Sequence, residues 1–221
     1  MSKVCIVTGA SRGMGRGIAK VLAEERSATV YATARSEQAL NELTSEIKKG
    51  TGVIHPIVLD QTDDRAVENF VSEVSGKERQ IDLLVNSSYG GLTAMASHFG
   101  KPFWERPISV FDASLNIGLR SAYVMSAFVA PHMVKQKSGL MVQVSSLGGY
   151  TYLFDVGYGV GKAALDRLSA DMATELNSHG VNSVTLYPGG GVTEITNFPG
   201  GETPTFAGRA VAALVSDTSD D

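Results

Sequence analysis

The sequence predicts a doubly wound α/β fold, a parallel sheet with helices on both faces. Three observations carry that prediction. The chain opens on a short β-rich run, Val4-Cys5-Ile6-Val7, that enters a turn with glycine at positions 9, 13 and 15. Further short β-rich runs then alternate with amphipathic stretches. No internal repeat or low-complexity linker breaks the alternation. Strands separated by helices imply right-handed crossovers, which join parallel strands and cover both faces of the sheet.

Val4–Thr8 reads as the first strand, followed by a helix to about Glu25. Thr29–Thr33 is a second strand, and Glu37–Lys48 a helix with Leu40, Leu43 and Ile47 at helical spacing. Val53–Leu59 is a third strand. Asp63–Val74 follows as a helix whose acidic N-terminus suits the dipole. Ile81–Val85 forms a fourth strand ending at Asn86, and Leu140–Val144 a fifth. Ala163–Leu176 is a helix, Val181–Leu186 a sixth strand, and Gly208–Val215 a last helix-like stretch. One long excursion, Gly90 to Pro107, carries Phe99, Phe103 and Trp104. It is either a packed surface loop or a wall of the cleft, since loops at strand carboxyl ends line the site in such sheets.

With 221 residues, 43% of them hydrophobic, the expectation is a single domain over residues 1–221. The net charge of −4 is mild and the 19 Lys and Arg are scattered, which argues against a nucleic-acid or anionic-membrane partner. The lone cysteine, Cys5, lies in the first strand and suits a buried position in a reducing, cytoplasmic setting. The chain runs straight into strand one, so no leader is expected before it. The most apolar long stretch, Ser121 to Val134, is interrupted by Pro131 and too short to span a bilayer. No metal site is expected.

The turn Thr8-Gly9-Ala10-Ser11-Arg12-Gly13-Met14-Gly15 joins a strand to a helix N-terminus. Glycine there lets backbone N–H groups approach an anion, and the helix dipole favours it, so a pyrophosphate is the expected guest. The spacing is G-x-x-x-G-x-G, and alone it could simply connect strand to helix. Downstream stand Ser145-Ser146-Leu147-Gly148-Gly149 and then Tyr158-Gly159-Val160-Gly161-Lys162. Tyr158 and Lys162, four apart, share one helix face. The serines end a predicted strand, so chain order puts all of them at the carboxyl edge of the sheet beside the glycine turn.

Those residue types suit carbonyl reduction. A phenol with its ordinary pKa near 10 is poorly poised at neutral pH. A neighbouring cation stabilises the phenolate and brings it toward the working range. A serine hydroxyl can hold the substrate oxygen. No side chain donates a hydride, so a nicotinamide is implied.

Taken together, these motifs resemble the short-chain dehydrogenase/reductase family, whose fold is a Rossmann-like doubly wound sheet. Thr8–Gly15 is similar to its TGxxxGxG turn. Asp60, followed by Gln61, matches the acid after strand three that contacts adenine. Asn86, followed by Ser87, matches the start of its NNAG motif, and Asn116 the helix asparagine of its proton relay. Tyr158 and Lys162 match its YxxxK, and Pro188-Gly189 its PG turn, with Thr193 beyond. The match runs in order from Lys3 to about Thr193. The blocks Asn86-Ser87-Ser88-Tyr89-Gly90, Phe103-Trp104-Glu105, Gly118-Leu119-Arg120 and Tyr158-Gly159-Val160-Gly161-Lys162 point to one subgroup within the family.

The resemblance implies that Tyr158 is the general acid and base. Lys162 lowers its pKa and binds the nicotinamide ribose, and Asn116 holds a water leading to solvent. Each has a plainer role when read alone. Asn116 could cap or kink a helix, Asp60 could be a helix-start acid, and Asn86 could satisfy a strand-end turn. Ser145 has the commoner spacing to Tyr158, whereas Ser146 aligns better at the strand end and is favoured as the catalytic serine.

After strand two, Ala34 stands where NAD-selecting enzymes place a carboxylate for the ribose 2′-OH, and Arg35 follows. With Arg12 in the turn, two guanidinium groups suit a 2′-phosphate, so NADP(H) is the expected cofactor. A small, apolar carbonyl or alcohol is the expected substrate, from the aromatic excursion and Tyr150-Thr151-Tyr152-Leu153-Phe154.

The pattern also departs from the family. Ser87-Ser88 replaces Asn-Ala, and glycines 189–191 stand where a bulky aliphatic residue is usual. The lid segment after Thr193 looks short, and a C-terminal strand is not expected. A rival reading is therefore a cofactor-binding scaffold or near-inactive relative; an isomerase or dehydratase using the same Tyr and Lys is a third. The long helices carrying Asn116 and Tyr158 suggest a homodimer.

Overall fold

The computed structural model describes residues 2–48, 52–194, 196 and 198–217. Its strands are β1 (Val4–Thr8), β2 (Thr29–Ala34), β3 (Val53–Val58), β4 (Leu83–Asn86), β5 (Gly139–Val144) and β6 (Val181–Leu186). They form one six-stranded sheet in the order β3-β2-β1-β4-β5-β6, with every pairing parallel. Chain order reverses between β1 and β4, so a crevice opens at their carboxyl ends.

Helices cover both faces. Cys5 and Val7 of β1 point to one core, shared with α1 (Gly13–Arg26), α2 (Glu37–Ser45) and α8 (Pro204–Asp217). Val4 and Ile6 point to the other, filled by Val67, Phe70 and Val71 of α3 (Asp64–Lys77) and Met125, Val129 and Met133 of α6 (Ser121–Gln136). This two-residue alternation lets one short strand serve two apolar layers. Two further helices precede α6: α4 (Gly91–Met95) and α5 (Ile108–Ser114). The longest helix, α7 (Val156–Leu176), follows β5 and packs beside β6.

Several boundaries differ from the sequence reading for identifiable reasons. The strand expected from Ile81 starts at Leu83. The Ile81 N–H donates to the Gln136 side chain, whose amide donates back to the Ile81 carbonyl, so a side chain satisfies that backbone in place of a neighbouring strand. The helix expected to reach Lys48 ends at Ser45. There the Thr44 and Ser45 hydroxyls donate to the Leu40 and Glu42 carbonyls, bonds that compete with the helical ladder. The third strand stops at Val58, one residue before Leu59, and Pro56 sits within it. Its missing donor is tolerated because β3 is an edge strand. The helix read over Ala163–Leu176 begins at Val156, where Asp155 caps it, and so includes Tyr158 and Lys162 on the helix face their four-residue spacing predicts. Among the described residues β6 is the other edge of the sheet.

Candidate active site

The crevice at the switch between β1 and β4 continues into a cavity of about 440 Å³. Gly9, Ser11, Arg12, Gly13, Met14 and Gly15 line one end of it. Gly9 has φ +66°, and a Cβ there would lie 2.8 Å from the Ser88 Cα. A Cβ on Gly15 would lie 2.5 Å from the Gly9 carbonyl oxygen. The turn can therefore close on itself only with glycine at these positions. An anion already sits on it: the Gly13 N–H donates to Glu194 Oε2 at 2.9 Å. The start of α1 thus behaves as an anion seat, filled by the chain's own carboxylate.

The adjoining wall comes from the ends of β2 and β3. Arg35, Asp60 and Gln61 line it. Arg35 is exposed at the mouth, and Arg12, also exposed, donates from Nη2 to Thr93 Oγ1 at 2.8 Å. Asp60 accepts from the Thr62 N–H and hydroxyl, which hold its pKa below the usual carboxylate value, with Arg35 adding to the effect. Gln61 is buried, and neither its amide oxygen nor its nitrogen has a hydrogen-bond partner. The Thr33 hydroxyl on the same wall is also unpartnered. Unmet polar groups of this kind are costly unless a guest completes them.

At the far end the tyrosine and lysine of α7 meet the end of β5. Asp155 holds the first turn of α7, accepting from the Tyr158 N–H at 2.6 Å. Tyr158 and Lys162 are both buried. Burial raises the Tyr158 pKa, and a hydrogen bond with Ser146 opposes the rise. Burial lowers Lys162 to about 8, against the pull of Asp166. Its ammonium donates to the Val144 carbonyl at 2.9 Å and lies 4.8 Å from the Tyr89 ring centroid and 5.8 Å from that of Tyr158. The two serines have separate settings. Ser145 is buried and donates to the Lys162 carbonyl at 3.3 Å. Ser146 accepts from the Gly148 N–H at 3.0 Å and reaches Tyr158. Pro188, Gly189 and Thr193 close the cavity from beyond β6, and Ser87 from beyond β4.

Two expected site residues lie outside the cavity wall. Asn86 is buried, donating to Ser126 Oγ at 3.0 Å and the Ala122 carbonyl at 3.4 Å, which ties the end of β4 to α6. Asn116 is exposed in a π-helical turn, Leu115–Arg120, that joins α5 to α6. Its carbonyl accepts the Ser121 N–H, and the turn delivers Ile117 to the cavity.

The aromatic excursion is divided in its role. Leu92 lines the cavity, while Phe103 and Trp104 meet edge-on at the surface, 63% and 72% exposed. Tyr150 and Tyr152 are likewise exposed, so Leu153 and Phe154 alone of that run form the wall. Two wall residues pack directly on Tyr158. The Tyr89 ring meets Tyr158 edge-on at 5.4 Å, and its hydroxyl donates to Ser114 Oγ at 3.0 Å. Phe154 meets Tyr158 at 4.9 Å, and Phe99 and Phe198 at 6.3 Å each. Tyr89 stands inside the Asn86–Gly90 block, and Phe154 ends the aromatic run Tyr150–Phe154 from which an apolar pocket is expected; the contact of each with Tyr158 is what the sequence does not show.

A glycine-turn anion seat, a long crevice at a topological switch and a buried Tyr–Lys pair define a doubly wound α/β protein with a crevice at its topological switch. Residues 3–199 match the family model described as short chain dehydrogenase, and the chain belongs to that family. It is 45% identical over 188 residues to dehydrogenase/reductase SDR family member 1 of Mus musculus and 43% identical to that of Homo sapiens. These alignments cover 85% of this chain and 60% of each relative, so the chain spans about 60% of their length. A metagenomic short-chain oxidoreductase solved in complex with NADP superposes with a TM-score of 0.84 at 28% identity, covering 98% of this chain and 92% of that one. A short-chain dehydrogenase/reductase from Caenorhabditis elegans, solved with cofactor, gives 0.84 at 26% identity, covering 96% and 88%. Among the described residues no helix is long and apolar enough to cross a membrane.

Proposed function

We propose that the protein is an NADP(H)-dependent oxidoreductase that interconverts an apolar carbonyl compound and its alcohol. The observation that carries this reading is one continuous cavity with a glycine anion seat at one end and Tyr158, Lys162 and Ser146 at the other. The donor set fits a dinucleotide: the Gly13 N–H accommodates an anion, and Gln61 and Thr33 present unmet polar atoms on the wall from β2 and β3, on the side of the glycine turn away from Tyr158. The bound nicotinamide supplies or accepts the hydride.

In this scheme the glycine turn takes the pyrophosphate, and Glu194 yields its place to it. Arg12 and Arg35 take the 2′-phosphate as guanidinium partners. Asp60 and Gln61 border the adenine end. Ser146 orients the substrate oxygen, Tyr158 gives it a proton or takes one, and protonated Lys162 favours the phenolate. Ser145 braces the end of β5 against α7. Asn86 braces β4, and Asn116 contributes through the turn that sets Ile117 into the cavity. Tyr89, Leu153, Phe154 and Phe198 give the substrate end an apolar lining, which favours hydrophobic aldehydes or ketones. A homodimer through α6 and α7 belongs to the same reading, supported by the exposed Tyr123 and Val160 on those helices.

The test is NADPH consumption across a panel of apolar aldehydes and ketones, alongside titration with NADPH and NADH. Turnover with at least about tenfold tighter NADPH binding, or about 1.4 kcal/mol, is expected. Binding without consumption of any carbonyl would favour a cofactor-binding scaffold instead.

A further inference from the structure

We propose that Arg106 and Asp155 form a positioning pair for Tyr158, clamping the aromatic excursion onto the first turn of α7. The proposal rests on the reading of Tyr158 as the acid and base, and deepens it.

The Asp155 carboxylate faces two ways. Oδ1 accepts the Tyr158 N–H at 2.6 Å, and Oδ2 accepts from Arg106 Nη1 at 2.5 Å. Arg106 also donates from Nε to the Lys101 carbonyl at 2.8 Å, so its guanidinium fastens its own loop as well. Both side chains are almost sealed from solvent, at 6% and 4% exposure. The residue between Leu153 and Asp155 is held in a rare conformation: Phe154 has φ +64°. That turn places the Phe154 ring against Tyr158 and between Phe99 of the excursion and Phe198. Strain of this kind persists only where the surroundings over-determine it. Here the Arg106–Asp155 pair and the aromatic contacts supply the constraint.

Capping alone does not explain the arrangement. Serine, threonine or asparagine at position 155 would cap α7 about as well without a buried charge. A buried ion pair gives stability poor value, because desolvation offsets most of the attraction. What the pair achieves is fixed geometry with balanced charge beside a titrating phenol. The charged and titratable groups around Tyr158 are Lys162 and Asp166 from α7, Tyr89 from beyond β4, and the Arg106–Asp155 pair. The Asp155 charge is felt in the cavity: Tyr89, raised chiefly by burial, is raised further by Tyr158 and Asp155. Removing Arg106 leaves a bare carboxylate that disfavours the phenolate; neutralising Asp155 leaves a bare guanidinium that favours it.

Opposite signs from the two single variants separate charge-balanced positioning from a structural brace. Arg106→Gln should cut kcat about tenfold, leave the NADPH KM within about twofold and move the alkaline limb of the rate profile up by about half a pH unit. Asp155→Asn should move that limb down, and the double variant Arg106→Gln/Asp155→Asn should return it toward wild type with most of kcat recovered. Shifts in the same direction, no shift, or a double variant no better than the singles would overturn the proposal.

A second measurement does not need turnover. In protein carrying Cζ-labelled tyrosine, with Tyr158 assigned by difference from Tyr158→Phe, NMR titration should give a lower Tyr158 midpoint in Asp155→Asn than in wild type. An unchanged midpoint overturns the pairing even if the enzyme is active, and a lowered one supports it even if no substrate is found.

Discussion

The two ends of the cavity are built differently. At the nucleotide end the work is done by main chain: Gly9 at φ +66°, the Gly13 N–H and the close approach of Gly15 to the Gly9 carbonyl. At the substrate end it is done by side chains drawn from distant stretches, with Tyr89, Phe154 and Phe198 around Tyr158 and Arg106 held by Asp155. A backbone cradle depends on a few glycines at fixed spacing and admits little variation. A side-chain wall can be rebuilt residue by residue without disturbing the cradle. On the proposed function, this contrast would put cofactor binding with the local turn and substrate choice with long-range packing.

The largest effect that tests this division comes from Tyr158→Phe. Loss of the proton donor should slow turnover by about 10²–10⁴-fold. Cofactor affinity, measured by fluorescence titration, should stay within a few-fold because the nucleotide end is untouched. A comparable loss in both would show that the two ends are not separable.

Lys162 sits at the junction, and its burial gives a pH signature. Its folded pKa of about 8 lies below its free value of 10.5. Between those values the unfolded chain holds the extra proton, so this group's contribution to stability rises with pH through that window. Denaturation of wild type against Lys162→Met at several pH values should show the difference moving in favour of wild type by up to roughly 3 kcal/mol. Cys5, raised by burial, acts in the opposite sense but equally in the two proteins, and Tyr158, which loses the Lys162 cation in the variant and rises further, adds to the difference in the same direction. A pH-independent difference would mean that Lys162 keeps its proton in the fold.

A smaller change belongs to the nucleotide end. Arg35→Asp should reverse the preference between NADPH and NADH, a swing of at least about 1.4 kcal/mol on either side of parity. Turnover per bound cofactor should be little altered. If the preference survives, Arg35 is a solvated helix-start residue and the selection lies elsewhere.

The same division explains what the sequence made legible. The order of strands and helices follows from two-residue and helical periodicities, and the glycine turn from backbone need. Both are local. Tyr158 and Lys162 could be placed on one helix face by spacing, and the serines at the adjoining strand end by chain order. The start of β4 was misplaced because Gln136, fifty-five residues away, satisfies the Ile81 backbone. The Arg106–Asp155 pair and the contact of Phe154 with Tyr158 left no local trace, since these partners meet only in the folded chain. For Phe103 and Trp104 composition left a surface loop and a cleft wall both open, and the two rings meet edge-on outside the cavity, as a surface loop would place them.

The most direct test of the account follows the hydride itself. Wild-type protein would be given a responsive apolar ketone and NADPH carrying deuterium at the transferable position of the nicotinamide ring, and the product analysed by mass spectrometry. The account predicts one deuterium on the carbinol carbon of the alcohol, formed with matching loss of NADPH and suppressed in Tyr158→Phe. An alcohol without the label, or bound NADPH that reduces no carbonyl offered to it, would contradict the claim that this cavity transfers hydride.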